Sequence, residues 1–86
     1  MTAREMFEKL GYEYDYLKYE YSEDLITYHK DNLHIQFNLS GKQVVVQNDS
    51  SYQFYGHAVF FLNIDTIKAV NKQIEELGWN DVNIAN

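Results

Sequence analysis

The sequence predicts a small α+β domain in which an antiparallel four-stranded sheet is flanked by an N-terminal and a C-terminal helix. Apolar residues recur every three to four positions near both ends of the chain, and every second position in the middle. The connections between the middle segments are too short for parallel crossovers, which need about a dozen residues or more. The expected order is therefore α-β-β-β-β-α, with both helices on one face of the sheet.

Composition favours one folded domain spanning residues 1–86. Hydrophobic residues make up 45% and aromatic residues 16% of the chain, which is enough for one modest core. The tail, residues 80–86, has little apolar content and is expected to fray. The chain has no cysteine, which excludes disulfides and thiolate metal sites. Because a secreted domain of this size usually needs such staples, a cytoplasmic location is expected, with no signal peptide and no membrane span.

Both helices have recognisable ends. Thr2 and Glu5 fit a capping box at the start of the first helix, and Gly11 is placed to end it. The last helix is predicted to begin at an Asp65 N-cap and to end at Gly78. Its apolar stripe consists of Ile67, Val70, Ile74 and Leu77, with Trp79 folding back on Ile74. Each helix ends in leucine, glycine and an aromatic residue, and we interpret this as one stop signal used twice.

Four strands are predicted between the helices. The clearest is 33–39, where Leu, Ile, Phe and Leu alternate with polar residues, and 25–30 should be its hairpin partner. A third strand is expected at 44–46 and a fourth at 58–62. No proline protects a sheet edge, so self-association through an edge strand is an open alternative.

The segment 12–21 is the most unusual part of the chain, because five of the eight tyrosines alternate there with acids. The alternation predicts a fifth strand, but its phase slips after Tyr16. Either a bulge at Leu17-Lys18 restores the phase, or the segment is a long loop on the sheet rim. Since the other strands can form a sheet without it, the segment is expected to be dispensable for the core.

This segment is also the candidate contact surface. The net charge is −6, and residues 12–24 account for −4 of it, with five acids and one lysine. Tyrosine provides contact area with a polar tip, and acids favour a basic protein partner. The candidate contact residues are Glu13, Tyr14, Asp15, Tyr16, Tyr19, Glu20 and Tyr21. Alternatively, the tyrosines serve only as strand formers.

A second possible role for these acids is imitation of nucleic acid. Acids at alternate strand positions lie roughly 7 Å apart, similar to phosphates, so Glu13 and Asp15 would suit an inhibitor of a DNA-processing or defence protein. Direct nucleic-acid binding is not expected, because the seven basic residues are scattered along the chain.

Catalytic motifs are not apparent. His29 and His34 are possible cross-strand neighbours that could bind a metal with Asp31, but no spacing matches a zinc motif. The four glycines form no phosphate loop, and the serines lack a nucleophile-elbow context. The sequence therefore predicts a non-enzymatic protein without a cofactor, and a small metal-dependent hydrolase is the enzymatic alternative.

The two ends of the chain, Met1–Tyr12 and Ile67–Trp79, resemble a group of small uncharacterised proteins from prophages and mobile elements of Gram-positive bacteria. The resemblance covers about a third of the chain, and the middle matches only as a pattern of alternating strands. It implies a bacterial, cytoplasmic accessory protein and supplies no catalytic residues. In this group the connection corresponding to the tyrosine segment is variable, which fits a loop or a partner-specific contact.

Overall fold

The computed structural model describes residues 1–18, 24–48 and 62–79 in full, and the backbone of residues 53–54 and 57–58. Helix α1 (Ala3–Lys9) precedes a four-stranded sheet, and helix α2 (Ile64–Glu76) follows it. The strands are β1 (Glu13–Leu17), β2 (Leu25–Lys30), β3 (Leu33–Asn38), β4 (Gln43–Asn48), β5 (Gln53–Phe54) and β6 (His57–Ala58). The predicted α+β class is confirmed; the expected fraying of 80–86 concerns residues outside those described.

The tyrosine segment supplies the first strand of the sheet. The strands are antiparallel in the order β1-β2-β3-β4, and β1 pairs with β2 without interruption from Glu13↔His29 to Leu17↔Leu25. No bulge interrupts this register. The strand ends at Leu17, where the apolar phase slips, and residues 19–21 of the segment lie outside the described part of the chain.

The predicted strand at 58–62 does not form part of this sheet as described. Ala58 belongs to β6, which pairs with β5 in a separate two-stranded ladder, and Leu62 lies outside any strand. Residues 59–61 lie outside the described part of the chain. The described sheet still has four strands, because the tyrosine segment supplies one of them.

The core lies between the helices and one face of the sheet, here called the inner face. Phe7 of α1 stacks on Tyr28 of β2 with 3.8 Å between ring centroids. The other members of the buried hydrophobic cluster are Tyr12, Ile26, Ile35, Phe37 and Ala69. Since Tyr12 is buried and Tyr14 packs on Tyr28, the expectation that the tyrosine segment is dispensable for the core is wrong.

The two helix ends confirm the interpretation of one stop signal used twice. Gly11 and Gly78 adopt φ values of 94° and 76°, a left-handed conformation that favours glycine. The amides of Tyr12 and Trp79 then donate to carbonyls five residues back, at 3.0 and 3.1 Å. This is the Schellman arrangement, and it returns each aromatic ring to the core.

The predicted N-terminal cap is correct for α1 and wrong for α2. The capping box of α1 is present, with Thr2 and Glu5 exchanging hydrogen bonds of 2.8 and 3.1 Å. In α2 the N-cap is Asn63, whose Oδ1 accepts a 2.8 Å hydrogen bond from the Thr66 amide, so the Asp65 prediction is wrong. Asp65 instead lies in the first turn, where its charge still favours the helix dipole.

The buried side of α2 is rotated from the predicted apolar stripe. The buried residues are Thr66, Ala69 and Gln73, whereas Ile67 is 39% exposed. The small Ala69 side chain allows close packing, and the Gln73 amide oxygen accepts a 2.5 Å hydrogen bond from the Tyr28 hydroxyl. Burial raises the pKa of Tyr28 above its ordinary value, so this hydroxyl remains a donor.

Candidate functional site

The two faces of β1 separate the candidate contact residues. Tyr14 and Tyr16 pair with core-facing residues of β2 and therefore point to the inner face. Glu13 and Asp15 occupy the alternate positions and point to the opposite, outer face. A single surface combining these tyrosines and acids is not formed, because the period of two places them on opposite sides of the strand.

Tyr14 is half-buried and already holds a cation from its own chain. Its ring centroid lies 5.5 Å from that of Tyr28, and the Arg4 guanidinium lies 4.1 Å from the Tyr14 ring centroid. This cation–π contact is made within the chain. Tyr14 contributes to the fold on this face.

Tyr16 is the exposed tyrosine of the strand. Tyr16 is 47% exposed, and its hydroxyl donates a 2.9 Å hydrogen bond to Oδ2 of Asp24. This hydrogen bond to a carboxylate raises the pKa of Tyr16, because it stabilises the protonated phenol. The ring therefore stays neutral and available at the end of the strand.

The outer face of β1 carries two exposed carboxylates that converge on His29. Asp15 Oδ2 lies 2.8 Å and Glu13 Oε2 lies 3.7 Å from His29 Nε2. The side chains of Glu13 and Asp15 are 80% and 56% exposed, and that of His29 is 30% exposed. Two carboxylates that share one imidazole nitrogen do not form a row spaced like phosphates. A nucleic-acid mimic would need further acids, and Glu20 lies outside the described residues.

Tyr16, Leu17 and the two acids together form what we call the β1 edge. It comprises the outward backbone side of β1 with the side chains of Glu13, Asp15, Tyr16 and Leu17. Leu17 is 36% exposed and ends the strand. Sequence reasoning missed Leu17 and His29, because the pairing of β1 with β2 was not predicted and only that register brings His29 beside the acids. Tyr19 and Tyr21 lie outside the described residues.

Thr27 lies at the centre of the outer face. It pairs with Asp15 on one side and with Gln36 on the other, and only 4% of it is exposed. Its hydroxyl is buried without a hydrogen-bond partner among the described residues. Such a hydroxyl is an energetic cost to the fold.

The two histidines are cross-strand neighbours, as the sequence suggested. His29 pairs with His34, and their rings stack with centroids 5.9 Å apart. Asp31 lies in the following turn with a φ of 54°. In the described ranges, no three histidine, aspartate or glutamate side chains come together in a way that would hold a metal ion.

A hollow of about 370 Å³ opens at the end of the sheet between the two helices. Its lining residues are Leu10, Tyr12, Lys30, Asp31, Asn32, Leu33, Asn48, Asn63 and Thr66. Lys30 donates a 2.8 Å hydrogen bond to the Leu10 carbonyl at the end of α1, and Thr66 is bonded to Asn63. Lys30 and Thr66 are therefore engaged in hydrogen bonds within the fold, where they help to join the helices to the sheet.

Comparisons with other proteins identify no relative: no family model, no curated protein and no solved structure matches this chain. Within the described ranges, no helix has the length and apolar character needed to cross a membrane.

Proposed function

We propose that this protein acts without catalysis, by binding a protein partner that presents basic residues to the β1 edge. The observation that carries the proposal is the exposure of two carboxylates, Glu13 and Asp15, on a strand that has β2 as its one neighbour in the described sheet. An open strand edge is a common place for protein contacts, and opposite charges select the partner and accelerate encounter.

The charge distribution supports a basic partner. The chain carries −6 in total, and the segment around β1 holds most of this charge. His29 contacts both acids, but the outward parts of the carboxylates remain accessible to a cation from a partner. Leu17 adds exposed apolar area on the same face as the acids, and Tyr16 adds ring area on the inner side of the same strand, so a contact along this edge combines ion pairs with burial.

The setting of this activity is part of the same proposal. A chain without cysteine and with one small core suits the cytoplasm, where disulfides are rare. The prophage origin suggested by Met1–Tyr12 and Ile67–Trp79 stays a prediction, and an accessory role through a host or phage protein is consistent with it.

Selection of random linear peptides on the immobilised protein tests the proposal. The wild type should enrich peptides containing lysine and arginine, and the Glu13→Gln/Asp15→Asn variant should lose this enrichment. Enrichment should also weaken as salt increases, since exposed charges are screened. Circular dichroism verifies that each protein is folded.

The matched control is Asp65→Asn/Glu75→Gln, which removes the same charge from exposed positions on α2. It should enrich the same peptides as the wild type. If the wild type shows no preference for basic peptides, or if Glu13→Gln/Asp15→Asn keeps that preference, the proposed function is overturned.

A further inference from the structure

We propose that the partner binds by strand addition: an extended segment alternating between basic and apolar residues pairs with β1 as a new edge strand. This inference rests on the proposed function and specifies the form of its partner. It follows from three properties of the β1 edge. The backbone has a neighbour on one side only among the described strands, and the side chains are acidic on the outer face and aromatic on the inner face. The edge also fits poorly to a second copy of itself.

Among the described strands, β1 has a neighbour on one side only. All five residues of β1 pair with β2, and no other described strand lies beside β1. In an antiparallel ladder, alternate residues direct their N–H and C=O groups away from the neighbour. An added strand satisfies these groups, as in other peptide complexes formed by strand addition.

The side chains beside this backbone differ between the two faces. Glu13 and Asp15 lie on the outer face, so basic residues of an added strand would lie opposite them as cross-strand pairs. On the inner face, Tyr14 and Tyr16 offer ring surfaces, and the Arg4 guanidinium over Tyr14 already supplies a positive charge. A basic residue facing inward would meet Arg4, whereas an apolar residue would cover the rings.

Because the two faces of β1 differ, the partner strand must alternate between two kinds of residue. Successive side chains of a strand point to opposite faces, so every second residue should be lysine or arginine and the residues between them apolar. This requirement holds for parallel and antiparallel addition, because both preserve the period of two.

The same charges disfavour pairing of β1 with a second copy. Antiparallel pairing of two β1 strands would gather two Glu13 and two Asp15 side chains on one outer face. Like charges opposite one another destabilise a sheet. The acids therefore act against self-association at this edge while they favour a basic strand.

Three synthetic octapeptides, measured by fluorescence anisotropy, test strand addition. The first alternates lysine and valine, the second has the same composition with all lysines in one block, and the third alternates glutamate and valine. The wild type should bind the alternating lysine peptide about tenfold more tightly than the block peptide, which has equal charge. The Glu13→Lys/Asp15→Lys variant should reverse the preference and bind the glutamate peptide.

Backbone methylation separates strand pairing from attraction of charge alone. Two versions of the alternating lysine peptide carry N-methyl groups on opposite sets of alternate amides, so that only one set would face β1. One version should lose binding by about tenfold or more, and the other should bind like the parent peptide. Equal binding of both versions overturns strand addition.

The remaining outcomes distinguish the two proposals. Equal binding of block and alternating peptides, abolished by Glu13→Gln/Asp15→Asn, overturns strand addition but leaves the proposed function intact. Failure of the alternating peptide to bind also overturns strand addition. In that case the selection of random peptides decides separately whether a basic partner is bound at all.

Discussion

The two faces of β1 have opposite roles although their residues are neighbours in the chain. On the inner face, Tyr14 packs on Tyr28 and holds Arg4, so its contacts are made within the domain. On the outer face, Glu13 and Asp15 contact only His29 among the interactions described and are largely exposed. In composition the tyrosine segment is one feature, whereas the strand packs Tyr14 against the core and leaves Glu13 and Asp15 exposed on the opposite face.

Because of this difference, substitutions on the inner face report mainly on folding, and substitutions of the outer-face acids report mainly on binding. Removing an inner-face group leaves a cavity or an unpaired buried atom, and the whole domain loses stability. Removing an outer-face charge changes an exposed contact with His29, and exposed polar contacts contribute little to folding. Loss of function from a Tyr14 variant would therefore be ambiguous, and variants of the two acids are the cleaner probes.

The largest effect is expected from Phe7→Ala on the inner side. Phe7 is fully buried and stacks on Tyr28, so truncation should lower the free energy of unfolding by about 3–5 kcal/mol. Urea denaturation measures this loss. Lys9→Ala, at an exposed position of the same helix, should change stability by less than about 0.5 kcal/mol. Similar small changes for both variants would contradict the core described above.

Tyr28→Phe should lower the free energy of unfolding by about 1–3 kcal/mol, because the buried Gln73 oxygen would lose its donor. Tyr16→Phe removes a hydroxyl hydrogen bond at an exposed site and should change the free energy of unfolding much less than Tyr28→Phe does. Chemical denaturation of both variants makes the comparison. Both tyrosines lie on the inner face, and equal losses would show that burial does not set the cost of losing a hydroxyl hydrogen bond there.

Thr27→Val should increase stability by up to about 1 kcal/mol, because valine has a similar shape and lacks the unpaired buried hydroxyl. Thr66→Val is the matched control, since the buried Thr66 hydroxyl donates a 2.8 Å hydrogen bond to Asn63. That control should lose about 1 kcal/mol. Thermal unfolding of the two variants should shift in opposite directions, and a destabilised Thr27→Val would refute this account of the outer face.

The smallest effect on folding is expected from Glu13→Gln/Asp15→Asn. The pairs with His29 are exposed, so the free energy of unfolding should change by less than about 1 kcal/mol. Calorimetry or urea titration measures the change alongside the binding assays. A loss of several kcal/mol would mean that the acids serve the fold, and the outer face would then resemble the inner one.

Local signals in the sequence predicted several elements well. The capping box at Thr2, the glycine ends at Gly11 and Gly78, and the hairpin of β2 and β3 all depend on residues close together in the chain. Predictions that depended on distant partners were less successful. The buried side of α2 is the example, since it follows Ala69 and Gln73 because α1 and Tyr28 pack there. The N-cap of α2 is a local error, because the side chain of Asn63, not that of Asp65, reaches the nearby Thr66 amide.

The candidate site was predicted in part. Alternation in the tyrosine segment predicted that Glu13 and Asp15 share one face, and the structure places them so. The contacts that define their surroundings are between residues at least fourteen positions apart, such as Asp15 with His29. The alternation of residues within the tyrosine segment does not indicate which distant residues will contact it. Those contacts depend on the pairing of β1 with β2, which the packing of the whole sheet determines.

The sequence by itself determined the class of fold, the helix ends and the alternation of tyrosine with acid, since these follow from local backbone preferences and from periodicity. Only the tertiary structure decided that the segment is the edge strand, that Tyr14 belongs to the core, and that His29 lies between the two acids. The physical reason is that burial depends on what lies opposite a side chain. Strand register and helix packing determine that, and both are properties of the assembled domain.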